Sequence, residues 1–175
     1  TELQVLKEPH RAAQRKSYVW AQMSGAGPPI RLFTYAPSRT AETARNLFEG
    51  ARGALMSDGY EVYANVAQGS GLVHLGCWAH ARRRFVEAEA ALPKAARSAV
   101  QPATQFIAAI GELYAIEARA REMPTDERTR LREQHSRSVL AKIEALTLEH
   151  LHRVLPGSLL GQALHYLAHQ WPKLV

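Results

Sequence analysis

Trp78 separates two stretches of sequence with different hydrophobic periods. Before it, short apolar runs alternate with turn residues. After it, apolar residues recur only at helical spacing, and no further strand is predicted. Such a chain folds as a mixed α/β part followed by helices. The expected division lies at residue 90: an α/β core over residues 1–90 and an all-helical subdomain over 91–175.

The first part opens with Leu3 and Val5 alternating with Glu2 and Gln4, which predicts a half-buried strand over residues 1–6. A polar, basic connection follows, carrying Pro9, His10, Arg11, Arg15 and Lys16. It is either a solvated hairpin arm or a surface that touches phosphate. Residues 17–23 and 30–35 read as two further strands around the turn Ser24-Gly25-Ala26-Gly27-Pro28-Pro29. Pro37-Ser38 opens a helix, with Ser38 or Thr40 as N-cap and Ala41, Ala44, Leu47 and Phe48 on one face. A fourth strand runs through Ala54-Leu55-Met56 towards Asp58. A helix over 60–68 and a fifth strand over 72–77 complete the set. The order βββαβαβ, with crossover helices that demand parallel neighbours, is that of a ribonuclease H-like mixed sheet.

Three later stripes and one more predict the helices of the second part. They are Trp78, Ala81, Phe85, Ala88 and Leu92; Phe106, Ile107, Ile110, Leu113 and Tyr114; Val139, Leu140, Ile143, Leu146, Leu151 and Val154; and Leu160, Leu164, Leu167 and Trp171. Pro93, Met123-Pro124 and Pro156-Gly157-Ser158 mark the breaks.

Charge narrows the class of partner. The formal net charge of +6 favours an anionic partner, with nucleic acid first, although a basic surface without a partner has the same composition. A single cysteine excludes an internal disulfide and favours a reducing compartment, so a cytoplasmic location is expected. No apolar run approaches the roughly 20 residues that a membrane-spanning helix needs. The sequence starts on a strand pattern with no leading loop, and so reads as cut.

Asp58 is the first candidate functional residue. A strand that delivers an acid to its C-terminal edge is how α/β folds place a metal-binding carboxylate. Asp58-Gly59 is also an ordinary turn dipeptide. The run Gly76-Cys77-Trp78-Ala79-His80-Ala81-Arg82-Arg83-Arg84-Phe85 leaves a strand and enters a helix at once. Cys77 and His80 share a face at its start, but a zinc site needs four ligands and no second cysteine exists. A structural role is expected instead, with His80 bonded to backbone or a carboxylate. Arg82, Arg83 and Arg84 spread around the helix, and at least one is expected near phosphate. His165 and His169 have metal-pair spacing but lack the acid of a zinc-protease motif.

Three runs together resemble the catalytic region of bacterial DDE transposases of the insertion sequence sixty-six family: Tyr35-Ala36-Pro37-Ser38-Arg39, Ser57-Asp58-Gly59-Tyr60-Glu61-Val62-Tyr63, and the Cys77-to-Phe85 run. The order is kept along the whole chain. The resemblance implies a ribonuclease H-like core in which three acids hold two divalent ions, Mg²⁺ or Mn²⁺, for DNA cleavage and strand transfer. It implies DNA as partner, both transposon ends and target, and an oligomer in the intact enzyme. Asp58 matches the second acid, Cys77 and His80 a supporting step after it, and the later helices an insertion before the third acid. Arg11, Arg15, Lys16, Arg82, Arg83 and Arg84 become candidate DNA contacts. Thr1 matches the threonine of the family's Asp-Glu-Thr motif, so the first acid is expected before residue 1. Glu2 faces the opposite side by strand alternation. The third acid is expected after the end of this chain. One carboxylate of three holds Mg²⁺ weakly, so this chain alone is expected to be inactive. The remaining alternative is a non-catalytic DNA-binding or helical interaction module. Asp58 is expected at the rim of a five-stranded sheet, beside the strand that begins at Thr1.

Overall fold

The computed structural model describes residues 2–5, 9–25 and 27–175. Thr1, the end of the predicted first strand at Leu6, and Ala26 of the predicted turn lie outside them. The elements run β1 (Glu2–Gln4), β2 (Lys16–Met23), β3 (Arg31–Ala36), α1 (Ala41–Leu47), β4 (Ala54–Ser57), α2 (Glu61–Ser70), β5 (Val73–Gly76) and α3 (Trp78–Ala90). Then come α4 (Pro102–Ala120), α5 (Thr125–Leu131), α6 (Arg137–Leu151) and α7 (Leu159–Leu174). Two compact units result. One comprises Thr1–Leu55 with Tyr60–His74, and the other Met56–Gly59 with Leu75–Val175. Leu75 and α3 thus fall in the same unit as the later helices.

The expected single five-stranded sheet is not formed by the described residues. β1, β2 and β3 make an antiparallel three-stranded sheet, and β4 pairs with β5 in a separate two-stranded one. The reason is visible in β1. It is three residues long, is exposed throughout, and pairs only with β2 through Leu3 opposite Ser17. So short an edge offers little surface for a further strand. The half-buried strand expected at the N-terminus is thus corrected: Leu3 is exposed, and the Lys16 ammonium holds Glu2 at 2.7 Å.

The core of the first unit is aromatic. Trp20 of β2 and Phe48 after α1 both meet Tyr63 of α2 edge-on, at 6.0 and 6.1 Å between ring centres. Ala44, Val66 and Ala67 are buried around them. Thr40, not Ser38, caps α1: its hydroxyl accepts from the Thr43 amide at 3.3 Å.

The second unit is a helical bundle. α3 packs on α4 and α7, and α6 packs on the same two helices, so the four close a ring. Inside it, Phe85 and Phe106 stack with ring centres 4.3 Å apart and planes 11° from parallel. Ile110, Ile143, Leu164 and Leu167 are fully buried around that pair. These are positions that the four apolar stripes select. Ser158 caps α7 by accepting from the Gly161 amide at 3.0 Å. Between α5 and α6, Arg132–Ser136 widens into a π-type turn.

Candidate active-site face around Asp58

Asp58 follows β4 directly, in a bend continued by Gly59 at a φ of 85°. That left-handed conformation turns the chain out of the strand and suits glycine. It also brings the backbone close to α7. A Cβ at Gly59 would stand 3.0 Å from the Gln170 amide group and 3.2 Å from the Tyr166 ring. The Tyr166 hydroxyl donates to the Asp58 carbonyl at 2.8 Å. The last helix thus fixes the backbone of the candidate acid, whose side chain is half-buried.

α3 supplies the opposite sign. Successive helical residues rotate by about 100°, so the three arginines separate. Arg84 lies over the Tyr166 ring, 4.2 Å from its centre. Arg83 is exposed and reaches Glu87 at 3.9 Å, a weak pair. Arg82 is half-buried and lines a cleft with Tyr114. The expected spread is observed, with Arg84 the member of the run that covers Tyr166. Burial raises the Tyr166 phenol above its ordinary value; Arg84 opposes this, and the charges of Asp58 and Cys77 reinforce it. The phenol therefore stays a neutral donor to the Asp58 carbonyl at neutral pH.

Cys77 precedes α3 and is half-buried; its carbonyl accepts from the His80 amide at 3.1 Å. His80 is expected to bond backbone or a carboxylate; its Nδ1 is buried without a partner among the described residues. Helical spacing fixes the face a side chain takes, and not whether an acceptor stands there. Trp78 anchors the start of α3, its indole N–H donating to the Leu174 carbonyl at 3.1 Å and its ring meeting Trp171 edge-on. Among the described residues no three His, Cys, Asp or Glu side chains gather closely enough to hold a metal ion. His165 and His169 are both exposed on α7.

The N-terminal basic residues belong to the first unit. Arg11 donates to Ser17 Oγ at 2.6 Å and to the Pro37 carbonyl at 2.9 Å, which ties the arm to β2 and to the end of β3. Lys16 is paired with Glu2, and Arg15 is exposed. Sequence reasoning did not single out Tyr166 and Gln170. Their signal was an i, i+4 pair on α7, overshadowed by the histidine pair with the same spacing.

The chain is similar to two proteins of Sinorhizobium fredii (strain NBRC 101917 / NGR234). It is 29% identical over 164 residues to uncharacterized protein y4qI, covering 86% of this chain and 29% of that protein. It is 27% identical over 179 residues to uncharacterized protein y4jD, covering 95% of this chain and 34% of that protein. The chain thus spans about a third of the length of these curated relatives. No solved structure matches it. No helix among the described residues is long and apolar enough to cross a membrane. The family described as Transposase IS66 family matches residues 1–175 from end to end, and the chain, with its Asp58 bend and Cys77-to-Phe85 helix start, belongs to that family.

Proposed function

We propose that this chain is part of a transposase that cuts and joins DNA, with Asp58 contributing one carboxylate to a divalent-ion site for Mg²⁺ or Mn²⁺. The carrying observation is the fixed position of Asp58, whose carbonyl is held by Tyr166 while Arg84 covers the same ring. An acid held on a preorganised backbone beside an arginine suits chemistry on a phosphodiester, whose charge needs both a cation-binding carboxylate and a positive neighbour. The described residues do not by themselves fit a metal ion, since no triad of ligands gathers at Asp58. The other ligands are assigned to residues beyond those described, in keeping with relatives about three times longer. The element order βββαβαβ supports a ribonuclease H-like origin for this segment, with its strands shared between two sheets.

Strand transfer of a labelled transposon end tests the reading. The intact transposase is expected to lose turnover on Asp58→Ala, and residues 1–175 alone to show none. An intact Asp58→Ala enzyme that keeps wild-type turnover refutes it. The lack of a ligand triad among the described residues also favours a second reading, a DNA-binding or helical interaction module without catalysis. Salt-sensitive duplex binding combined with no Asp58 dependence selects that alternative.

A further inference from the structure

Two adjoining clefts on the helical unit share Ala79 and Tyr114. The larger has a volume of about 590 Å³. Four arginines line the pair, Arg82, Arg83, Arg121 and Arg128, against the single acid Glu117. That acid is already engaged: Arg132 holds it with two bonds of 2.7 and 2.6 Å. Arg83 is weakly paired with Glu87, which leaves Arg82, Arg121 and Arg128 without an ion pair among the described residues. Two of the arginines carry a further mark. The Nε atoms of Arg82 and Arg128 are buried and have no acceptor among the described residues. A buried donor without a partner is uncommon, and one on a charged guanidinium more so. Arg128 is oriented by one bond, from its guanidinium to the Met123 carbonyl at 3.1 Å. Tyr114 stands between the two clefts with its ring part-exposed, and burial keeps its phenol protonated well past neutral pH. The lining thus offers guanidinium and phenol donors, and its one carboxylate, Glu117, is engaged.

We propose that these clefts hold backbone phosphates of DNA, with Arg82 and Arg128 as the phosphate donors, Arg121 at the rim and the Tyr114 hydroxyl as a neutral donor between them. Guanidinium groups match the oxygens of a phosphodiester in pairs. The inference rests on the transposase reading for the identity of the anion and adds to it a binding site that uses none of the residues facing Asp58.

The test is duplex binding by the 175-residue chain, followed by fluorescence anisotropy across a salt series. Wild type is expected to bind with affinity that falls steeply with salt. The double variant Arg82→Gln/Arg128→Gln is expected to bind at least about tenfold more weakly, with the salt slope reduced by roughly one for each phosphate it no longer neutralises. Arg121→Glu, at an exposed position that cannot perturb the core, is expected to weaken binding in the same direction. Affinity and slope unchanged in both proteins overturn the cleft assignment, and so does a wild-type chain that fails to bind duplex at low salt. Strand transfer by the intact Asp58→Ala enzyme is a separate readout, so the transposase reading stands or falls independently.

Discussion

The Tyr166 hydroxyl donates to the Asp58 carbonyl at 2.8 Å, across 108 positions of sequence. This bond links the end of a strand to the middle of the last helix. It gives α7 a part in placing the candidate acid, beyond its part in the bundle core. Tyr166→Phe keeps the ring beneath Arg84 and removes only the donor. The expected loss is about 0.5–1.5 kcal/mol in denaturant unfolding, with a larger fractional loss of any Asp58-dependent activity. Unfolding that matches wild type would show the bond to be energetically idle.

Two glycines test how closely α7 is seated. A Cβ at Gly161 would stand 2.2 Å from the Leu155 carbonyl oxygen, which is backbone and cannot swing aside. Gly161→Ala is expected to cost about 3 kcal/mol, at the top of the overpacking range. At Gly59 the obstacle is the side chain of Gln170, which can yield, but the positive φ is unfavourable for alanine. Gly59→Ala is expected to cost about 1–3 kcal/mol. Thermal melts of both variants rank the two, with Gly161→Ala the lower.

The stacked pair at the centre of the bundle sets the scale for its core. Phe85 and Phe106 are both fully buried. Phe106→Ala is expected to destabilise by about 3–5 kcal/mol, through reduced burial and the cavity left behind. A change below about 1 kcal/mol, measured by chemical denaturation, would mean that the bundle collapses around the gap.

Acid should weaken one surface link. The bond from Arg132 holds the Glu117 carboxyl below the usual carboxylate range. A lowered folded-state value means that the contribution is present above the unfolded carboxylate range and fades as pH falls through the folded one. Both side chains are nearly half exposed, so the contribution is small, roughly 0.5 kcal/mol. The stability difference between wild type and Glu117→Gln is expected to be positive near neutral pH and to vanish in acid. A difference that grows on acidification contradicts the assignment.

The sequence by itself determined the helices and their inward faces. Local period is enough for that, because Phe85, Phe106, Ile110, Ile143, Leu164 and Leu167 lie on stripes that any packing must bury. It also determined the break and cap at Pro156-Gly157-Ser158, a matter of local hydrogen bonding. Strand pairing was not legible in the same way. β1 and β4 are too short for their side-chain pattern to specify a neighbour, and only the folded chain divided five strands between two sheets. The surroundings of Asp58 were likewise decided by tertiary structure. Sequence marked the acid and the arginine run, but which arginine would share its neighbourhood depended on how α3 and α7 pack. That packing set Arg84 over Tyr166, brought Gln170 against Gly59, and left Arg82 to a separate cleft beside Tyr114.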